Sequence, residues 1–127
     1  MNKKFLILIV VLLLLVGCGK KEETKEIESG KITCKQMKEI MKGDNNPRLI
    51  DVRTKEEFDA GHLDGAENIP YDVIVSPGVT QIDSIIPNET PIIVYCKSGN
   101  RSGQAYNSLK MAGYSKVYDL GAMSNCN

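Results

Sequence analysis

The sequence predicts an α/β domain, a small parallel β-sheet flanked by helices. Three observations carry that expectation. Short apolar runs rich in β-branched residues, around Ile50, Ile93 and Val117, are separated by stretches with helical spacing. Two helix starts are written as capping boxes, Thr33-Cys34-Lys35-Gln36 and Thr54-Lys55-Glu56-Glu57. One strand, Pro91 to Tyr95, runs through a tight loop directly into a helix. Strands that alternate with helices build parallel sheets, and the ligand sites of such sheets lie outside the carboxyl ends of the strands.

Residues 1–30 precede the domain. Asn2-Lys3-Lys4 is a basic start, and Phe5 to Val16 is an unbroken apolar run of 12 residues. A membrane-spanning helix needs roughly 20, whereas 12 residues match the core of a secretory signal. Leu15-Val16-Gly17-Cys18 follows at once. This resembles the lipobox of bacterial lipoproteins, in which the cysteine is lipidated and becomes the new N-terminus. The expected division is a signal peptide over 1–17, a lipidated Cys18 with a flexible charged tether over 18–30, and the domain over 31–127. The chain is then exported and anchored by lipid to the extracytoplasmic face of a bacterial cell-envelope membrane. Gly19 to Gly30, nearly all Lys, Glu, Thr and Ser, has too few apolar residues to bury a core.

Charge and composition exclude one class of partner. The net charge is zero, tryptophan is absent, and there are only five tyrosines and two phenylalanines, so neither a basic face nor stacking platforms speak for nucleic acid. Removing residues 1–17 takes away Lys3 and Lys4 and leaves a mildly acidic chain. Contact with a membrane would come from lipid and not from basic charge.

Within the domain, Thr33 opens a helix whose Met37, Ile40 and Met41 fall on one apolar face, and Gly43 with Asp44-Asn45-Asn46-Pro47 stops it. Methionines at this spacing are core residues, not metal ligands. Arg48 to Val52 is a strand. Thr54 opens a short helix with Phe58 as its packing residue and Gly61 at its end. His62, the one histidine in the chain, follows that glycine. In a Gly-His-Leu turn it is expected to hold the loop by a hydrogen bond, which leaves no cysteine–histidine pair. Leu63 to Pro70 is turn chemistry leading into a short apolar element. Val79, Ile82, Ile85 and Ile86 suggest an amphipathic helix ended by Pro87-Asn88. The Pro91 strand, its loop and its helix come next, the helix ending near Ala112-Gly113. Val117 to Leu120 is a last short strand.

The chemistry converges on Cys96. The strand delivers it to the first position of the loop Lys97-Ser98-Gly99-Asn100-Arg101-Ser102, which enters the helix. A thiol held over a helix N-terminus meets free backbone N–H groups and the positive end of the helix dipole, an environment that favours thiolate chemistry. Successive loop amides can also form a nest for an anion. Of the four cysteines, Cys18 is taken by lipid; Cys34, Cys96 and Cys126 remain. An odd number in an exported chain leaves one free thiol even if the other two pair.

Several segments together resemble the rhodanese family in its single-domain form. They are Leu49-Ile50-Asp51-Val52-Arg53, Glu57-Phe58 followed by Gly61-His62-Leu63-Asp64-Gly65-Ala66, Asn68-Ile69-Pro70, Ile93 to Ser102, and Gly113-Tyr114-Ser115-Lys116-Val117. The resemblance runs from about Ile32 to Asn125. It implies a monomeric, rhodanese-like α/β enzyme that needs no metal or organic cofactor. Cys96 is then the catalytic nucleophile. It takes the outer sulfur of a small sulfur-containing anion such as thiosulfate, or of a persulfide, and passes it to cyanide or a thiol. Lys97, Ser98, Gly99, Asn100, Arg101 and Ser102 are the substrate-binding residues: the loop amides surround the carried sulfur, Arg101 holds an anionic donor by its fork, and Lys97 adds a point charge. Asp51, Arg53 and His62 are framework residues.

The resemblance weakens at the end of the chain, where Ala122 and Cys126 stand in place of a glycine and a tryptophan. Cys126 is open to three readings: a tolerated loss of packing, a resolving thiol for a persulfide on Cys96, or a disulfide partner for Cys34. Two other functions remain open. A cysteine phosphatase or arsenate reductase uses a similar thiolate–arginine loop, but one residue longer than the four between Cys96 and Arg101. A non-catalytic docking or sensing module, or a persulfide carrier for a membrane partner, shares the fold.

Overall fold

The computed structural model describes residues 25–76 and 80–127. The anticipated signal peptide, Cys18 and Val79 lie outside the described residues. In chain order the elements are β1 (Gly30–Lys31), α1 (Cys34–Met41), β2 (Arg48–Asp51), α2 (Lys55–Asp59), β3 (Ala66–Asn68), α3 (Tyr71–Val75), α4 (Thr80–Asp83), β4 (Ile92–Cys96), α5 (Asn100–Met111) and β5 (Val117–Ala122), followed by a 3₁₀ turn over Met123–Cys126.

The five strands form one sheet in the order β1-β5-β4-β2-β3, and every pairing is parallel. β4 is central and buried along its whole length, which is why its sequence is continuously apolar instead of alternating. Its residues still divide between the two faces. Ile92, Val94 and Cys96 pack with Ile74 of α3, Ile82 of α4, and Ala105 and Leu109 of α5. Ile93 and Tyr95 pack on the opposite side with Met37 of α1, Tyr118 and Leu120. Cys96 therefore leaves the sheet on the face covered by α5.

Both capping boxes form. The Thr33 and Thr54 hydroxyls accept the N–H groups of Gln36 and Glu57, whose side chains accept those of Thr33 and Thr54 in return. α1 ends before Gly43 as its sequence requires. At the end of α5 the Gly113 N–H reaches the Lys110 carbonyl with φ +99°, a conformation that suits glycine.

Four expectations need correction. Gly30 belongs to β1, and Ser29 donates its hydroxyl to the Val117 carbonyl at 2.6 Å while Ile27 packs on the core, so the end of the charged stretch is part of the domain. β3 is a strand with no β-branched residue, held by its ladder with β2 and not by propensity. Ile85 is 48% exposed, because α4 stops at Asp83 and the helical spacing lapses there; Ile82 and Ile86 are buried. Phe58 is half-buried and stacks on His62, with ring centroids 3.8 Å apart, instead of entering the core.

Cys34 and Cys126 form a disulfide with a Cα separation of 5.2 Å, and Cys96 is the free cysteine among the described residues. Cys126 is thus a partner of Cys34 and not a resolving thiol for Cys96. The bridge ties the start of α1 to the last turn across 92 residues of sequence, a long loop whose closure restricts the unfolded chain strongly. Replacing Cys34 by Ser is expected to cost about 2–4 kcal/mol of stability, read from the urea midpoint and m-value of the two chains.

Candidate functional site

The sheet order reverses between β2 and β4. Their carboxyl ends, Asp51-Val52-Arg53 and Cys96, form the crevice where open α/β sheets place their ligands. Cys96 is 0% exposed. Its Sγ accepts the Gly99 N–H at 3.0 Å and the Ser102 N–H at 3.4 Å. The loop reaches this shape because Gly99 takes φ +97°, where a side chain would be strained. The Ser102 hydroxyl and the Gly103 N–H both return to the Gly99 carbonyl, at 3.1 Å each, and lock the turn. Behind the loop lies the end of β5: a Cβ on Gly99 would sit 3.7 Å from Gly121 Cα.

Of the other anticipated loop residues, Lys97 and Ser98 are exposed, and Asn100 accepts a hydrogen bond from Gln104 at 2.9 Å, bracing the first turn of α5. Arg101 departs from expectation. Its fork is occupied: Nη1 and Nη2 lie 2.8 and 3.1 Å from the two carboxylate oxygens of Glu57. The sequence shows Glu57 as a capping residue and gives no sign of this second role, which depends on α2 and α5 meeting across 44 residues. Arg101, and after it the Thr54 N–H, hold the Glu57 carboxyl down at about 2.

Asp51 and Arg53, anticipated as framework, bond to one another and to the loop after α2. Asp51 is 0% and Arg53 7% exposed. The Asp51 carboxylate accepts the Arg53 backbone N–H at 2.9 Å and its guanidinium at 2.7–3.0 Å, and Arg53 donates onward to the Gly61 carbonyl at 2.6 Å. The Asn68 amide donates to the carbonyls of both Asp51 and Arg53. Tyr95, whose phenol burial pushes up to about 12, accepts the Leu63 N–H at 3.1 Å. His62 Nδ1 lies 2.9 Å from the Phe58 carbonyl. Together these bonds tie the loop after α2 to the ends of β2 and β4. No cluster of His, Cys, Asp and Glu suited to a metal ion occurs among the described residues.

This arrangement is that of a known class. A family model described as the rhodanese-like domain matches residues 33–124. The chain belongs to the rhodanese-like domain family. It is 34% identical over 107 residues to thiosulfate sulfurtransferase 18 of Arabidopsis thaliana, covering 77% of each chain. It is 35% identical over 82 residues to the uncharacterized protein YqhL of Bacillus subtilis, of which it spans 61%, with 65% of its own length matched. It spans only 18% of an adenylyltransferase and sulfurtransferase of Meyerozyma guilliermondii, 57% of its own length being matched, with 41% identity. Among solved structures, a Staphylococcus saprophyticus protein, SSP1007, superposes with TM-score 0.62 at 30% identity, covering 80% of this chain and 94% of that one. An E. coli rhodanese solved with anions gives TM-score 0.55 at 32% identity over 62% of this chain and 89% of that one. The relatives support sulfur transfer as the general chemistry of the family.

Truncating Asp51 to Ala would leave the Arg53 guanidinium buried without its carboxylate. The expected loss is about 3–5 kcal/mol, measured by urea unfolding.

Proposed function

We propose that the chain is a sulfurtransferase that carries a sulfane sulfur on Cys96. The observation that supports this most directly is the pair of N–H groups, from Gly99 and Ser102, aimed at Cys96 Sγ in a rhodanese-like domain. Backbone donors fixed around a sulfur stabilise negative charge there without reorganising during the reaction.

The steps balance without an oxidant. The Cys96 thiolate attacks the outer sulfur of thiosulfate. A new S–S bond forms, the donor's S–S bond breaks, and sulfite leaves with that electron pair. An organic persulfide reacts in the same way and releases its thiol, which takes the proton. Cyanide then attacks the outer sulfur of the Cys96 persulfide. The Sγ–S bond breaks, thiocyanate leaves and the thiolate returns. Gly99 and Ser102 hold Sγ throughout, and the exposed Lys97 adds positive charge at the rim. No His62 step is needed, since that ring is bonded to Phe58.

One observation favours a second reading, a non-catalytic docking or sensing module: Cys96 is fully buried, so a donor has to reach its sulfur through the loop. Mass spectrometry of thiosulfate-treated protein, beside a thiosulfate–cyanide assay, separates the two. A one-sulfur adduct on Cys96, with turnover that Cys96→Ala abolishes, is the expected result. No adduct from either thiosulfate or an organic persulfide would leave the module reading standing.

The same proposal places the domain outside the cytoplasm on a lipidated Cys18. The Phe5–Val16 run and the Leu15-Val16-Gly17-Cys18 motif support it, as does the Cys34–Cys126 disulfide, since such bonds persist mainly in oxidising compartments. In a bacterial host, metabolic labelling with a radiolabelled fatty acid is expected to mark the wild-type chain and not Cys18→Ser. A wild-type chain that takes up no label would overturn the anchor.

A further inference from the structure

The loop that cradles Cys96 carries one guanidinium, and that guanidinium is already paired. Arg101 presents its fork to Glu57 through two hydrogen bonds, the geometry by which arginine recognises carboxylates and other planar or tripodal oxyanions. Glu57 is itself fixed. Its Oε2 accepts both Arg101 Nη1, at 2.8 Å, and the Thr54 N–H, at 2.9 Å, and its own N–H donates to the Thr54 hydroxyl. The carboxylate is thus preorganised for Arg101 by the cap of α2.

No other arginine nearby is free to replace it. Arg53, within electrostatic reach of Arg101, spends its donors on Asp51 and the Gly61 carbonyl. Glu57 cancels Arg101, and Lys97 is left as the loop's exposed cation. Arg101 directly precedes Ser102, whose N–H reaches Cys96 Sγ at 3.4 Å. An anion seated on Arg101 would therefore lie at the rim of the loop that holds the reacting atom.

We propose that Glu57 is a specificity-determining residue: by occupying the Arg101 fork it withholds the oxyanion site from dianionic donors such as thiosulfate and favours donors that present a sulfane sulfur on an organic thiol. The inference rests on the sulfur-transfer reading above. Thiosulfate brings a charged oxyanion head that has to displace a held carboxylate or remain unpaired beside it. An organic persulfide concentrates its charge on the sulfur that enters the Gly99–Ser102 cradle and asks nothing of the fork. Glu57 selects between donors through Arg101, by like-charge exclusion.

Glu57→Gln tests this with little risk to the fold, because Gln36 already fills the same position of the capping box of α1. The readout is the ratio of kcat/KM for thiosulfate to kcat/KM for the persulfide of 2-mercaptoethanol, which carries no carboxylate, both with cyanide as acceptor. The ratio is expected to rise by about tenfold or more in Glu57→Gln, the effect of removing one like charge beside a desolvated anion. A ratio unchanged or lowered would overturn the proposal, since a purely structural role would affect both donors alike.

A second measurement needs no turnover. Sulfate serves as an unreactive dianion, and the thermal midpoint is compared in sulfate and in chloride of equal ionic strength. Bound anion raises the midpoint by mass action. The sulfate-specific rise is expected to be larger in Glu57→Gln than in the wild type and to disappear in Glu57→Gln/Arg101→Gln. Equal rises in the wild type and Glu57→Gln would overturn the assignment of Glu57. If the Cys96 adduct and all turnover are absent while the sulfate difference is present, the sulfur-transfer reading fails and the masking of Arg101 by Glu57 stands.

Discussion

Two backbone N–H groups that meet on one sulfur atom set the terms for the rest of this structure. For the amides of Gly99 and Ser102 to reach Cys96 Sγ, β4 has to end at that residue, the chain has to reverse within three positions, and α5 has to begin at once. Each condition has a physical cause. β4 is held at the centre of the sheet by strands on both sides. Gly99 admits a left-handed conformation. Ala105 and Leu109 bury the inner side of α5 in the same cluster as Cys96. A hydrogen bond is worth only about 0.5–1.5 kcal/mol net, so the two contacts to sulfur could not hold the loop alone. They exist because packing has already placed their donors.

The two arginine–carboxylate pairs near the site are chemically alike and physically different. Asp51–Arg53 is buried, multiply bonded and joined to the carbonyl of Gly61. It acts as a rivet between β2 and the turn that carries His62. Glu57–Arg101 is partly open to water, with each side chain about 30% exposed. A pair in that position contributes little to stability, yet it governs which charge faces an arriving molecule. Burial thus divides the two pairs into a structural one and an electrostatic one.

Much of this was legible before any coordinates. The capping boxes could be read because a helix start needs a fixed set of residues at fixed spacing, and β4 because continuous burial demands a continuous apolar run. The cradle could be read because a cysteine, a glycine and a helix start leave the chain few alternatives. The remainder depends on contacts between distant segments. β1 and β3 carry no strand signature, since Gly-Lys and Ala-Glu-Asn are held by their neighbours and not by propensity. Glu57 had a sufficient local explanation as a capping residue, and this hid its pairing with Arg101. Cys126 could have met Cys34 or Cys96, and only the path of the last turn decides between them.

The position of β1 bears on how the chain acquires its shape. Its one neighbour in the sheet is β5, the last of the five strands in chain order. β4 likewise lacks one of its two partners until residues 117–122 are available. Pairings of this kind join segments far apart in sequence and are slow to form. The earlier part of the polypeptide therefore remains without a completed sheet until residues 117–122 are available, which leaves a period in which its unpaired strand edges are open to aggregation.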